Sequence, residues 1–428
     1  MNSASPPTTG SAGGQRNRLL QSGIIFSAIS FVTGLGNLAF QSVMGHHLKD
    51  AGQYGNANSA ISGFMPLLQL LPLIATYAVT HYIAHFDASG DNARFQGMLL
   101  GCRKFLFRFT LVGSVLVVIV IKPLSEFFHY SESLMLVTLA GAVLGLWGSF
   151  ATALCQGLAW FKRLALIGFL AMVLRVTFGW FVTFKWPMPE TAVLAAIFAL
   201  LSNLVLLFWR KDLSLRGEPA SPWNREFIQY FVISAACVGG GYFFLQGDLL
   251  VAKKFFSGAE NDAYNCAERL AQALPITVAP LLTVLFTSRS GARSGSVVIE
   301  QFKLFGLYVL GLICGAVMLF SLRSFCVKLI LGRPSPEAEV MISRLAITMI
   351  FVALLQALAL WSLASRWTKI SLLYGVLGLI YWLTLLQFGK TPTDLLHVMP
   401  ISAAAAFGVL FVTWLITMPR HHWPAAQS

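Results

Sequence analysis

Five ionisable side chains sit inside long apolar runs of this 428-residue chain: Arg175, Asp248, Glu268, Arg269 and Arg344. An ionised group in hydrocarbon costs at least about 2.5–3.5 kcal/mol, so each must face a partner, a cavity or water. A guanidinium does not deprotonate, which obliges Arg175, near the middle of its run, to meet an anion, a carbonyl or water. Two readings of it stand side by side: a contact to an anionic substrate, or pairing with Asp248 or Glu268. The two acids are candidates for a proton or cation site and, equally, for pairing with Arg269 or Arg344. Such groups bind and move charge without covalent chemistry. The chain has no Walker motif, no G-x-S-x-G, no H-E-x-x-H and no spaced catalytic carboxylate pair, so hydrolysis is not expected of it. His81 and His85 have an i, i+4 spacing that can hold a metal, but no carboxylate pattern accompanies them, and near a helix C-terminus a plain cation is the simpler reading. The six cysteines stand singly in apolar runs and read as small core residues. Neither a metal nor an organic cofactor is expected; coupling to H+ or Na+ through Asp248 and Glu268 is the remaining ionic role.

Polar residues recur every three or four positions, the spacing that puts them on one helix face. Ser30, Thr33, Asn37 and Gln41 form one stripe, Tyr54, Asn58 and Ser62 a second, and Tyr264, Glu268 and Gln272 a third. Each stripe faces something wetter than lipid, either a hydrated cavity or a neighbouring helix.

The elements that carry these stripes follow from composition. The chain is 57% hydrophobic and only 11% charged, with a mean hydropathy of +0.72, whereas soluble domains carry about 25% charged residues. Twelve apolar runs are long enough to cross a bilayer as helices: 19–44, 56–84, 98–121, 133–158, 164–184, 189–209, 228–252, 264–287, 302–322, 340–364, 368–388 and 394–418. They lack the period-two alternation of a membrane β-barrel, so the expected fold is all-α. With the N-terminus inside, eighteen Lys and Arg fall on the cytoplasmic side and nine outside, and the remaining three of the thirty lie within spans. This asymmetry predicts cytoplasmic N- and C-termini. The net charge of +13 is thus mostly a topology signal, and nucleic acid is not an expected partner. Lys253 and Lys254 are expected to snorkel to the outer surface.

The longest internal polar stretch, 210–226, divides six spans from six. The expected layout is a disordered cytoplasmic tail over 1–18, an N-terminal lobe over 19–209, a cytoplasmic linker over 210–226, a C-terminal lobe over 227–418 and a short tail over 419–428. The halves echo one another: Tyr54, Asn58 and Ser62 recur 210 positions later as Tyr264, Glu268 and Gln272, and Ala57 as Ala267. Pro66 and Pro72 are echoed by Pro275 and Pro280, and Gly34 and Gly36 by the run that includes Gly240. A duplicated six-helix unit gives such an offset, and interrupted helices at matching positions point to the binding site of an alternating-access transporter. These seven Gly and Pro residues are the candidate hinges.

Three stretches resemble the polysaccharide flippases of the MOP superfamily, relatives of the MATE antiporters and lipid II flippases: Gly52–Leu73 ("GQYGNANSAISGFMPLLQLLPL"), Cys155–Gly179 ("CQGLAWFKRLALIGFLAMVLRVTFG") and Gln246–Leu282 ("QGDLLVAKKFFSGAENDAYNCAERLAQALPITVAPLL"). The resemblance implies two pseudo-symmetric six-helix lobes forming a V around a central cavity in a bacterial-type inner membrane. It also implies a Wzx-type function, flipping a lipid-linked oligosaccharide from the inner to the outer leaflet by alternating access. Arg175 and Arg269 would then hold the diphosphate, and Asn37, Gln41, Asn58 and Gln272 the sugar hydroxyls. The partners implied are the lipid-linked glycan, membrane lipids and other polysaccharide-assembly proteins. Two alternatives remain open: a cation-coupled MATE-like exporter using Asp248 and Glu268, and a non-catalytic membrane subunit of a polysaccharide synthesis or secretion complex.

Overall fold

The computed structural model describes residues 29, 32–70, 73–74, 76, 79–80, 82–83, 86, 91–158, 160–208, 225–291, 296–364 and 367–417. Within them the chain is helical throughout, with no strand. Helix α1 covers 32–47. Gly52, at φ 88°, turns the chain into α2 (Gln53–Ser59), which passes through a π-helical turn (Ala60–Phe64) into α3 (Met65–Leu68). There follow α4 (Asn92–Phe128), α5 (Glu132–Gly157), α6 (Phe161–Lys185), α7 (Pro189–Phe208), α8 (Arg225–Phe255), α9 (Gly258–Gly291), α10 (Ser296–Ser321), α11 (Arg323–Leu331), α12 (Pro336–Ala364), α13 (Thr368–Phe388) and α14 (Pro392–Thr417).

Local signals set several of the ends. The Asp91 side chain accepts the Arg94 N–H and starts α4, and His129 at φ 53° stops it. Ser131 then caps α5 by accepting the Leu134 N–H, with Glu132 favourably placed in the first turn. The expected runs and the observed helices agree to within a few residues at most ends. Six described helices are long and apolar enough to cross a membrane, and two bent pairs, Asn92–Leu116 with Val118–Phe128 (60°) and Phe305–Ser321 with Arg323–Leu331 (75°), raise the number to eight. The surface explains what surrounds them. Val118, Ile119, Phe184, Val317 and Ile416 are each more than half exposed, and apolar surface on this scale is satisfied by lipid. The chain is a multi-pass membrane protein.

The helices of the second half pack closely: α8 along α13, α9 along α12, and α14 against α12 and α13. In the first half α7 contacts both α5 and α6, and α4 lies on α5. The halves meet chiefly where α2 touches α8 and α9.

The expected breaks at glycine are absent. Gly34 and Gly36 lie inside an uninterrupted α1, and Gly240 inside an uninterrupted α8. Their smallness serves packing: a Cβ on Gly36 would run into Met172 of α6, and one on Gly240 would lie 2.8 Å from the Tyr374 carbonyl oxygen of α13. Pro275 likewise sits within an unbroken α9. Among its described residues the second span departs from a regular α-helix at the π-helical turn just before Pro66 and again at Gln69. Pro72, His81 and His85 lie outside the described residues, and Pro280 lies within α9.

Candidate functional site

A cavity of about 130 Å³ lies between α1, the π turn, α6 and α9, lined by Gly34, Leu35, Asn37, Leu38, Gln41, Ser62, Arg175, Arg269, Ala273, Ile276 and Thr277. It thus unites one arginine from each half of the chain. Arg175 reaches in from α6, with Nη1 donating to Asn37 Oδ1 at 3.1 Å and its guanidinium 4.6 Å from the Phe40 ring centre. It forms no ion pair with Asp248 or Glu268 among the described residues, and its Nε is buried without an acceptor. Arg269 donates from Nη1 to Gln272 Oε1 at 2.7 Å, while its Nη2 is buried with no acceptor. No acid lines the cavity among the described residues. The lining is therefore cationic, with hydrogen-bond donors left over.

The acids lie behind the wall. Glu268 is fully buried with Oε2 3.2 Å from Arg269 Nε, near enough for an ion pair but bent too far for a hydrogen bond. Asp248 Oδ2 accepts the Tyr264 hydroxyl at 2.6 Å, and its Oδ1 has no donor. Two buried carboxylates thus hold three oxygens without donors among the described residues. Arg344 is half-buried on α12 and away from the cavity lining. No group of three or more His, Cys, Asp or Glu suited to a metal occurs among the described residues.

Of the four neutral residues expected to meet sugar hydroxyls, Asn37 and Gln41 line the cavity, whereas Asn58 and Gln272 are buried within the walls. Gln272 Nε2 donates to the Leu245 carbonyl, and the Asn58 amide joins its neighbours.

Away from the cavity lining, the halves are joined by a seam that the sequence pattern did not announce. Asp262 of α9 accepts the N–H groups of Gly52 (2.9 Å) and Gly55 (2.7 Å). Helix α2 has no side-chain cap of its own, so an acid from the other half satisfies the donors that every helix start leaves open. Asp262 also lies 3.4 Å from Arg333, whose Nη1 donates to the Lys49 carbonyl. Ser42 donates to the Leu329 carbonyl at 2.5 Å. Lys253, expected to snorkel, is instead only 5% exposed. It donates to Asn56 Oδ1 at 2.7 Å and lies 4.8 Å from the Tyr130 ring centre. Burial raises the pKa of the Tyr130 phenol in the turn between α4 and α5, so it stays neutral and donates to Ser59 Oγ at 2.9 Å. The polar run Asn261, Asp262 and Asn265 at the start of α9 was the available signal for this seam.

No protein-family model and no curated protein matches the chain in sequence. Solved structures do match in fold. The lipid II flippase MurJ in an inward closed conformation is similar at a TM-score of 0.71 and 13% identity, over 93% of this chain and 89% of that one. A multidrug resistance MATE transporter of the MOP superfamily in an outward-facing conformation gives 0.64 and 13%, over 92% and 95%. A MOP superfamily transporter from Pyrococcus furiosus, described as having a binding pocket of reverse polarity, gives 0.59 and 12%, over 92% and 95%. The chain therefore has the fold these transporters share.

Proposed function

We propose that the chain is a Wzx-type flippase that moves a lipid-linked oligosaccharide across the membrane by alternating access. In this reading its twelve helices form two six-helix lobes around the cavity. One observation carries it: Arg175 and Arg269, from opposite halves, face a cavity with no acid among its described lining residues and with guanidinium donors still unmatched. Arg269 has Glu268 behind the wall, whereas Arg175 has no ion-pair partner among the described residues, and an anionic group supplies what it lacks. A diphosphate answers both arginines at once, since guanidinium and phosphate oxygens pair in a fork geometry. The isoprenoid tail stays in lipid, so the protein shields only the polar part. At about 130 Å³ the cavity has the share of liquid volume of roughly four waters. A phosphate group fits it; a sugar chain needs the halves to part.

The test is flipping of a fluorescent prenyl-diphosphate-linked sugar in vesicles, read by dithionite quenching from outside. Arg175→Ala or Arg269→Ala removes charge-assisted hydrogen bonds worth about 1.5–3 kcal/mol, so the rate should fall roughly 10- to 100-fold. Flipping unchanged in both variants would refute the assignment.

Asp248 and Glu268, with donorless oxygens, fit the coupling site: each offers a proton or cation a place to settle. The same acids support the second reading, a cation-coupled exporter in the manner of MATE proteins. Extrusion of cationic drugs, lost on Glu268→Gln but kept on Arg175→Ala, would favour it over the flippase.

A further inference from the structure

Gln41 lines the cavity, but its carboxamide is already engaged. Oε1 accepts the Tyr54 hydroxyl at 2.9 Å, and Nε2 donates to Asn58 Oδ1 at 2.9 Å. With Oδ1 turned to Gln41, the Asn58 Nδ2 points the opposite way and donates to Asn265 Oδ1 across the seam at 2.8 Å. Asn265 in turn donates to the Asn261 carbonyl and side chain at 2.8 and 2.9 Å. Asn58, Asn261 and Asn265 are at most 1% exposed. A buried, neutral, directional chain of amides therefore runs from the cavity surface to the contact between the halves.

We propose that Gln41 is a positioning residue for gating: the cavity end of an amide chain that holds the seam shut and lets go when a ligand's polar group takes over its carboxamide. This rests on the reading of the cavity as the ligand site. A phosphate or hydroxyl oxygen that draws Gln41 Nε2 toward the cavity takes away the shorter of the two bonds that fix the Asn58 amide plane, the other being donated by the Ser62 hydroxyl at 3.3 Å. An Asn58 amide free to turn over sets its Oδ1 against Asn265 Oδ1, two acceptors in a dry site, and the bond across the seam is lost. The amides themselves do not titrate, so their release answers to occupancy; the titratable groups beside them are Tyr54 at the cavity end and Asp262 and Lys253 in the seam.

The experiment is hydrogen–deuterium exchange of the full chain in nanodiscs, reading peptides that cover 52–60 and 258–266, with farnesyl diphosphate as the probe. Gln41→Met keeps the length of the side chain and removes both polar atoms; Gln41→Asn, too short to reach both partners, serves if the first variant does not fold. Without ligand, either variant should exchange roughly three- to tenfold faster than the wild type in the seam peptides, the loss of about one buried hydrogen bond, with 392–417 unchanged. Saturating farnesyl diphosphate should produce the same rise in the wild type and none beyond it in Gln41→Met. In an Asn265→Ala background Gln41→Met should add nothing, whereas a residue that merely packs would add its own effect. Seam exchange equal to wild type in Gln41→Met, or a fully additive effect with Asn265→Ala, would overturn the proposal. So would bound farnesyl diphosphate that leaves wild-type exchange unmoved. Failure of farnesyl diphosphate to bind at all, followed by tryptophan emission, would count against the flippase reading; the ligand-free comparison would still decide whether Gln41 holds the seam.

Discussion

Replacing Gly45 by alanine should drive the seam open. Gly45 ends the wall of α1 against α11: a Cβ there would lie 2.8 Å from the Ile330 carbonyl carbon and 3.0 Å from Leu331 Cα, with the carbonyl oxygen nearer still. These are backbone atoms, so no side-chain rotation makes room. Restoring ordinary contact at the carbonyl oxygen, the nearest of the three atoms, moves α11 away from α1 by more than ~1 Å, an overpacking of about 1–3 kcal/mol. Only the closed seam carries that cost. In an open form the methyl meets nothing, and the helix preference of alanine over glycine cancels because it acts on α1 in both forms. The closed-to-open ratio should therefore fall by about 5-fold at the least and roughly 100-fold at the most, at 1.4 kcal/mol per decade. Two spin labels on the exposed residues Glu126 and Glu337, one in each half, would read the opening as a longer distance population in double electron–electron resonance, with thermal unfolding as the control for folding. An unchanged distance distribution in a folded Gly45→Ala protein would refute the reasoning, since it would mean the contact yields without separating the halves.

Asp262→Ala should open the same seam by stranding the Gly52 and Gly55 N–H groups, raising exchange at 50–56 by about 10-fold or more. Asp262→Asn, with one oxygen left to accept, should lie between the variant and the wild type. Arg333→Ala should do little, because Arg333 is 46% exposed in its pair with Asp262 and such pairs contribute at most about 1 kcal/mol. Glu268→Gln, by removing the charge beside Arg269, should tighten farnesyl diphosphate binding while abolishing any dependence of flipping on an imposed proton gradient; gradient dependence that survives would place the coupling elsewhere.

The helices were readable because each is written locally. The run 368–388 reappears as Thr368–Phe388 and 164–184 lies within Phe161–Lys185, since about twenty consecutive apolar residues have few other stable fates. Arg175 was readable for a related reason: a cation amid hydrocarbon marks its own anomaly. The seam was not readable. Asn261, Asp262 and Asn265 look like an ordinary loop before a span, and Lys253 like an interfacial lysine, until the fold brings them against Gly52, Asn56 and Asn58, some two hundred residues away in sequence. Gly36 and Gly240 failed in the opposite sense. A glycine permits a break and permits close packing equally well, and only the neighbour, Met172 in one case and Tyr374 in the other, decides between them.

The 210-residue offset acquires a physical meaning once hydrogen bonds are assigned to it. Tyr54 donates to Gln41 in the helix before it, and Tyr264 donates to Asp248 in the helix before it. Four residues further on stand Asn58 and Glu268, both fully buried. One frame therefore carries two amides and the other two carboxylates. An amide pair keeps its hydrogen bonds at any pH and can bridge to another neutral amide, as Asn58 does to Asn265, adding no further charge to a seam that already holds Asp262 and Lys253. A carboxylate pair can gain or lose a proton or cation, but a buried charge used as the bridge would make closure depend on ionisation and carry a desolvation cost. In the division proposed above, the contact that holds lies among the amides and the group that changes charge among the acids. Arg269, next to Glu268 and facing the cavity, lies where a change of charge behind the wall is felt by an anion in front of it.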